Sequence, residues 1–348
     1  MISIRFGSVS LVAARTETSR SGWGCQLRRV CLFFSAGLAL VGAAAAQDYP
    51  ARQILLIAPF PAGGATDVLA RILGEGMRPT LGQQSVVLNL AGAGSTIGVG
   101  RAIQATPDGY TLVVGNWTSH VGAPAVYKVP WHPLTDLEPI SMLSVSTLII
   151  AGRTNLPQND GKELIAWLKA NPDQATVATV GAGSGAHVCA LYFEQKIGTR
   201  FRYVPYKGGA PAMADLMANQ VDLFCGEASQ MLSFFKSGRI KPLVVMSKSR
   251  WRPMPEVPTA VELGATDTYI PFWHGLWAPK GTPKQVVAKV NDAVVKAFSD
   301  PVVMKRIDDL GQDIPPREQL TPQALRAFHK SEIDKWWPLI KAANIKVE

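Results

Sequence analysis

Metal-binding patterns, charged runs and repeats are missing from this sequence. Of its 348 residues, four are cysteine and five are histidine, and neither type occurs at the spacing of a metal site. The formal net charge of +9 includes no run of Lys and Arg, which disfavours nucleic acid as a partner. Glycine and proline follow no fixed period, which excludes a collagen-like fibre. With 47% hydrophobic residues, we expect a globular chain with a sizeable core and room for two domains.

One long apolar run is present near the N-terminus. Residues 30–46 carry no charge, follow Arg28 and Arg29, and end in four alanines. This order of basic, apolar and small residues predicts a signal peptide over residues 1–46, cleaved near Ala46, and a mature chain outside the cytoplasm. A membrane anchor is the alternative, but the run is at the short limit for a bilayer of about 30 Å.

Short apolar strands alternate with amphipathic helices over most of the remaining chain. The first strand, 54–58, leads through a turn to a helix that we expect to start with Thr66 as its N-cap and to end at Pro79. The βα pattern occurs twice, which predicts two α/β lobes with mainly parallel sheets flanked by helices. Three C-terminal helices then return to the first lobe. The expected boundaries are residues 47–151 and 271–348 for lobe 1, and residues 152–270 for lobe 2.

Three glycine-rich turns each follow a predicted strand and open a helix: residues 59–66, 181–187 and 206–210. A helix start presents free backbone N–H groups and a positive dipole end, which favour a carboxylate or a phosphate. The alternative is that glycine simply makes tight turns. The presence of three such turns favours binding, because ligands of α/β sheets lie at the carboxyl ends of the strands.

Enzymatic and redox motifs are weak. Ser184 and His187 could be the nucleophile and base of a secreted hydrolase, but the flanking residues lack the Gly-x-Ser-x-Gly elbow. Neither a Walker pattern nor a correctly spaced dinucleotide fingerprint occurs, so we expect no catalytic residue and no cofactor. Cys189 and Cys225 are interpreted as two buried thiols, although a disulfide is allowed outside the cytoplasm.

Several runs resemble one family of transport proteins. Residues 57–67 (IAPFPAGGATD), 204–212 (VPYKGGAPA) and 275–283 (GLWAPKGTP) are similar to the tripartite tricarboxylate transporter receptors, the Bug family of periplasmic solute-binding proteins. The resemblance implies a two-lobed, type II-like periplasmic binding protein fold. It also implies a small carboxylate ligand held between the lobes, membrane permease subunits as partners, and a monomer. A periplasmic sensor that signals through a membrane partner remains an alternative.

The resemblance also implies which residues meet the ligand. Backbone N–H groups and the Ser184 hydroxyl would take its carboxylate. The expected ligand-binding residues are Phe60, Ala62, Gly63, Gly64, Thr66, Asp67, Gly183, Ser184, His187, Tyr206, Gly208, Ala210, Gly226 and Glu227. The family often has Asp where this chain has Gly226, and Thr or Ser where it has Gly185. A simple mono- or dicarboxylate is therefore expected to bind better than the matching amino acid, unless Glu227 replaces the missing Asp.

Overall fold

The computed structural model describes residues 48–265 and 269–345, so the predicted signal peptide and its cleavage site lie outside the described residues. Within this part of the chain, ten strands form two five-stranded sheets. The strands are β1 (Ile54–Ala58), β2 (Ser85–Asn89), β3 (Thr111–Asn116), β4 (Leu137–Ser146), β5 (Leu148–Arg153), β6 (Thr176–Thr179), β7 (Arg202–Pro205), β8 (Leu223–Glu227), β9 (Ile240–Val245) and β10 (Phe272–Pro279).

Helices cover both sheets. They are α1 (Ala65–Leu81), α2 (Thr96–Ile103), α3 (Ala123–Val126), α4 (Gly161–Ala170), α5 (Gly185–Ile197), α6 (Gly209–Met217), α7 (Ala228–Lys236), α8 (Lys284–Ala297), α9 (Pro301–Asp309) and α10 (Pro322–Ala342). Short 3-10 turns lie at Ala93–Ser95 and Arg317–Gln319, and a π-helical turn, Thr118–Gly122, joins β3 to α3.

The two sheets have matching topologies. The first has the order β2-β1-β3-β10-β4 and the second the order β7-β6-β8-β5-β9. In the first sheet β10 pairs antiparallel with both of its neighbours, and in the second β5 does the same. Among the described strands, each sheet thus has four running one way and one against them. The prediction of a two-lobed α/β fold with mainly parallel sheets is confirmed.

The antiparallel strand of each sheet is the one that enters from the other lobe. β4 of the first sheet and β5 of the second are separated by Thr147 alone. The chain therefore changes sheet at Thr147, several residues before the expected boundary at residue 151. The sequence pattern missed this crossing because the apolar run continues through it, with Leu143 and Leu148 both buried.

Two local predictions are wrong. Helix α1 continues past Pro79 to Leu81 and ends at Gly82, whose φ of 68° suits the left-handed cap, with its N–H bonded to Arg78. Cys189 and Cys225 form a disulfide rather than two free thiols. The packing of α5 on β8 in the second lobe brings their Cα atoms to 6.3 Å, within the range that a disulfide needs.

Candidate functional site

A cavity of about 60 Å³ lies between the two sheets, at the carboxyl ends of their parallel strands. A single water needs about 10–15 Å³ of such space, so the cavity has room for a small solute. The first lobe and β10 contribute Phe60, Pro61, Gly64, Ala65, Thr66, Asn116, Thr118 and Phe272. The second lobe contributes Leu148, Val180, Ala186, Gly209, Ala210, Phe224, Gly226, Glu227 and Gln230.

Three helix starts contribute to the surface of this cavity. The first turns of α1, α6 and α7 converge on it, through Ala65 and Thr66, Gly209 and Ala210, and the N-cap residue Glu227. Their first N–H groups have no partner inside the helix, and each helix dipole is positive at this end. Within the described part of the chain, no lysine or arginine lines the cavity. The arrangement therefore suits an anion held by backbone N–H groups and helix dipoles.

A buried chain of polar side chains supports one wall of the cavity. The Asn116 amide donates to the Thr66 hydroxyl over 3.1 Å, and the Thr66 hydroxyl lies 3.2 Å from His274 Nε2. Thr66 is the second residue of α1, and Gly64 is its N-cap. The prediction of Thr66 as the N-cap is therefore wrong. Burial lowers the pKa of His274 to about 3, so its imidazole is neutral at neutral pH.

Glu227 is the acidic residue of the cavity. Its Oε1 accepts hydrogen bonds from Gln312 Nε2 at 2.8 Å and from the Ser229 hydroxyl at 3.0 Å, while its Oε2 lies 3.7 Å from His274 Nε2. Burial raises its pKa to about 7, against smaller lowering effects of Ser146, Ser229 and Gln312. Glu227 ends a strand of the second sheet, whereas His274 lies on β10 of the first, so this cluster joins the two lobes.

The structure brings part of the predicted set together. The cavity is lined by Phe60, Gly64, Thr66, Ala210, Gly226 and Glu227, whereas Ala62, Gly63, Asp67, Gly183, Ser184, His187, Tyr206 and Gly208 are described but do not line it. Asp67 accepts from the Gly63 N–H and from Asn89, and pairs with Arg71. Burial works to raise the pKa of Asp67, but these contacts outweigh it and hold the pKa below its usual value. Asp67 therefore shapes the loop before α1.

The remaining predicted residues take other positions. The Tyr206 hydroxyl donates to Asp215 at 2.7 Å. A Cβ at Gly208 would lie 2.5 Å from Pro61 Cδ, and one at Gly183 would lie 2.8 Å from the Gly122 carbonyl oxygen. These glycines let the two lobes approach each other. His187 lines a separate cavity of about 160 Å³ together with Tyr127 and Tyr203.

Ser184 caps a helix. Its residue is fully buried, and its hydroxyl accepts from the His187 backbone N–H at 3.1 Å, which makes it the N-cap of α5. The next backbone N–H, that of Gly185, donates to the Thr118 hydroxyl of the other lobe at 2.9 Å. The expectation that the Ser184 hydroxyl takes the ligand carboxylate has no support in this geometry.

Replacing Ser184 by alanine is therefore expected to destabilise the second lobe rather than to abolish binding. Losing an N-cap hydroxyl costs about 1 kcal/mol. Urea unfolding should show this loss, while the affinity for a ligand changes by less than about threefold, below 1 kcal/mol. Thr321→Ala is the matched control, since Thr321 caps α10 in the same way through the Ala324 N–H. A tenfold or larger loss of affinity in Ser184→Ala alone would contradict this assignment.

The sequence reasoning missed Asn116, Thr118 and His274. Asn116 and Thr118 lie at the carboxyl end of β3, where the same rule that identified the glycine-rich turns predicts ligand contacts. His274 stands in β10, where every residue is buried. A polar residue within such an apolar run was the available signal.

The fold and this interlobe cavity define a two-lobed solute-binding protein. The chain belongs to the tripartite tricarboxylate transporter receptor family, because the model of that family matches residues 69–345. The resemblance seen in the sequence is confirmed. Within the described residues, no helix combines the length and apolar character needed to cross a membrane.

Three relatives illustrate the family. Protein BugT of Bordetella pertussis is 32% identical over 325 residues, which cover 93% of this chain and 99% of BugT. The periplasmic binding protein BugD, whose structure is solved, is 38% identical in sequence to this chain. The two structures superpose with a TM-score of 0.82, and the match covers 86% of this chain and 100% of BugD. MatC from Rhodopseudomonas palustris, solved with bound malate, is 33% identical, with a TM-score of 0.80 and coverage of 84% and 100%.

Proposed function

We propose that this protein is a periplasmic receptor that captures a small carboxylate between its lobes and delivers it to the membrane subunits of a tripartite tricarboxylate-type transporter. The observation that carries the proposal is the convergence of the α1, α6 and α7 starts on one cavity. Such helix ends bind anions through free N–H groups and dipoles. The first N–H of α7, that of Ala228, donates to the Thr147 carbonyl and is not among the free ones.

The walls of the cavity favour a ligand with a short carbon skeleton. Phe60, Phe224 and Phe272 contribute rings, and Leu148 contributes an aliphatic side chain. Apolar walls with a few convergent polar groups are typical of sites for small organic molecules. Because MatC was solved with malate, malate and succinate are the first ligands to test. Aspartate and glutamate should bind more weakly, since Gly226 offers no carboxylate to an ammonium group. Tighter binding of these amino acids would show that the Glu227 carboxylate, which also lines the cavity, takes that place.

Calorimetric titration of the purified exported protein tests this function. Malate or succinate should release heat with one-to-one stoichiometry. Thr66→Val removes the hydroxyl of a residue that lines the cavity and should weaken binding about tenfold, which corresponds to about 1.4 kcal/mol. Thr282→Val is the matched control, because Thr282 is also buried but bonds to the Pro279 carbonyl, away from the cavity.

Two results would contradict the proposal. One is that no small organic acid binds the wild-type protein. The other is that the Thr66 and Thr282 variants bind equally well, which would show that the ligand does not bind in this cavity.

Transport is tested by pull-down of membrane subunits with and without ligand. Recovery of a signalling protein instead would favour a sensor.

A further inference from the structure

The proposed function leaves an electrostatic conflict in the cavity. Glu227 lines it together with the helix starts, and no lysine or arginine among the described residues does so. A captured carboxylate would therefore lie beside a buried carboxyl group without a cation to separate them. Two like charges in one desolvated site do not both stay ionised, and they share a proton instead. The following inference rests on the proposed function and concerns the form in which Glu227 meets the ligand.

The two oxygens of Glu227 have different surroundings. Oε1 is held by two donors, Gln312 Nε2 at 2.8 Å and the Ser229 hydroxyl at 3.0 Å. Oε2 lies 3.7 Å from His274 Nε2, which is beyond hydrogen-bond distance. A proton on Oε2 would leave both bonds to Oε1 in place. The residue is also buried, with 8% of its surface exposed.

We infer that Glu227 binds the ligand as a neutral carboxylic acid, with its Oε2–H donating a hydrogen bond to a ligand carboxylate, so that capture of the anion takes up one proton from solvent. The proton adds to the Glu227 carboxylate, and no other bond forms or breaks. The ligand keeps its charge. When the ligand is a dianion such as malate, one added proton means that binding adds one negative charge to the protein instead of two. The hydrogen bond to an ionised acceptor is of the stronger kind.

The groups around Glu227 agree with this assignment. His274 on β10 is the titratable group that the described contacts place against it, and burial lowers the pKa of His274, so it offers no positive charge. Ser146, Ser229 and Gln312 are neutral. Asp313, next to Gln312 in the chain, turns outward to Arg252 with 72% of its side chain exposed. Burial raises the pKa of Glu227 to about 7, which places proton uptake within reach at neutral pH.

Calorimetry of the whole protein with malate and with succinate measures the proton directly. Titrations at pH 7.5–8.5 in HEPES and in Tris, which differ in ionisation enthalpy and supply no small anion that competes for the helix starts, give the number of protons taken up. We expect a number approaching one for both acids, and an affinity that falls up to tenfold for each pH unit in this range. Both acids are fully ionised there, so the proton cannot come from the ligand.

The Glu227→Gln variant should bind without proton uptake and with an affinity independent of pH, because the amide is a permanent neutral donor. Glu332→Gln is the matched control: Glu332 is another buried glutamate with a raised pKa, caused by burial, on α10, and its variant should keep the proton uptake. Binding by the wild-type protein without proton uptake, or unchanged uptake in Glu227→Gln, would overturn the role of Glu227 alone. Absence of any binding by either acid would overturn the proposed function, and this inference with it.

Discussion

The Gly185→Ala variant is expected to bind its ligand about ten to a hundred times more weakly than the wild-type protein. A Cβ at Gly185 would lie 2.6 Å from Phe272 Cε2 and 3.4 Å from the Thr118 hydroxyl, and both residues belong to the side of the cleft that faces α5. Overpacking of this kind costs about 1–3 kcal/mol. The methyl group meets resistance only where the lobes touch, so the cost falls on their closure around the ligand.

The same substitution should leave the second lobe folded. Alanine is a better helix former than glycine by up to about 1 kcal/mol, and Gly185 is the first residue of α5. Thermal unfolding and ligand titration together therefore separate closure from folding. Gly100→Ala on α2 is the control, because its nearest contact is a side-chain atom at 3.3 Å. Adding Phe272→Leu to Gly185→Ala should recover part of the affinity. Wild-type affinity in the single variant would show that this contact is absent from the bound state.

The free energy of unfolding is expected to fall steeply as the pH drops from about 6.5 towards 4. Burial lowers the pKa of His274 to about 3 and that of His329 to about 4, and it also lowers the pKa of His120. The folded protein thus binds fewer protons than the unfolded chain between these values and the ordinary pKa of about 6.5. The stability that depends on these neutral histidines is full above 6.5 and is lost as the pH falls, by up to roughly 3–5 kcal/mol for each of His274 and His329.

Urea unfolding at pH 7, 5.5 and 4.5 measures this dependence. His329 Nε2 donates to the His120 carbonyl at 2.8 Å, and Gln at this position keeps a donor but cannot ionise. His329→Gln should therefore flatten the acid slope. His187→Gln is the control, at a half-buried histidine of the second lobe. Equal slopes for all three proteins would show that His329 does not drive acid unfolding.

The alternation of strands and helices was predictable from the sequence, because each βα unit carries its own hydrophobic period and turn residues. Strands β4, β5 and β10 were not assigned from it. β10 is buried at every position and contains His274, Gly275 and Pro279. It therefore lacks the alternation of apolar and polar residues that marks a half-buried strand. Its place in the first sheet depends on pairing with β3 and β4, which local sequence does not encode.

The candidate site was predictable at the helix starts that line the cavity. Gly64, Thr66 and Ala210 follow from the rule that helix starts face the cleft. Ser184 and Gly208 also lie in glycine-rich turns before helices. However, Ser184 caps α5, and Gly208 lies against Pro61 of the other lobe. The difference arises from how the lobes meet, which no single loop specifies. Gln312 reaches Glu227 from 85 residues further along the chain, so its contribution has no local signal.

At Thr147 the chain passes from the first sheet to the second, and the next residue, Leu148, lines the cavity. The Thr147 carbonyl accepts the Ala228 N–H at 2.9 Å, and Leu148 pairs with Glu227. In a rotating body, the displacement of an atom grows with its distance from the axis. Groups beside the axis therefore move least. For a lobe rotation about this crossing, we expect Glu227, which pairs with Leu148, to move little. The proposed receptor would then hold the Glu227 cluster in nearly the same arrangement in its open and closed forms.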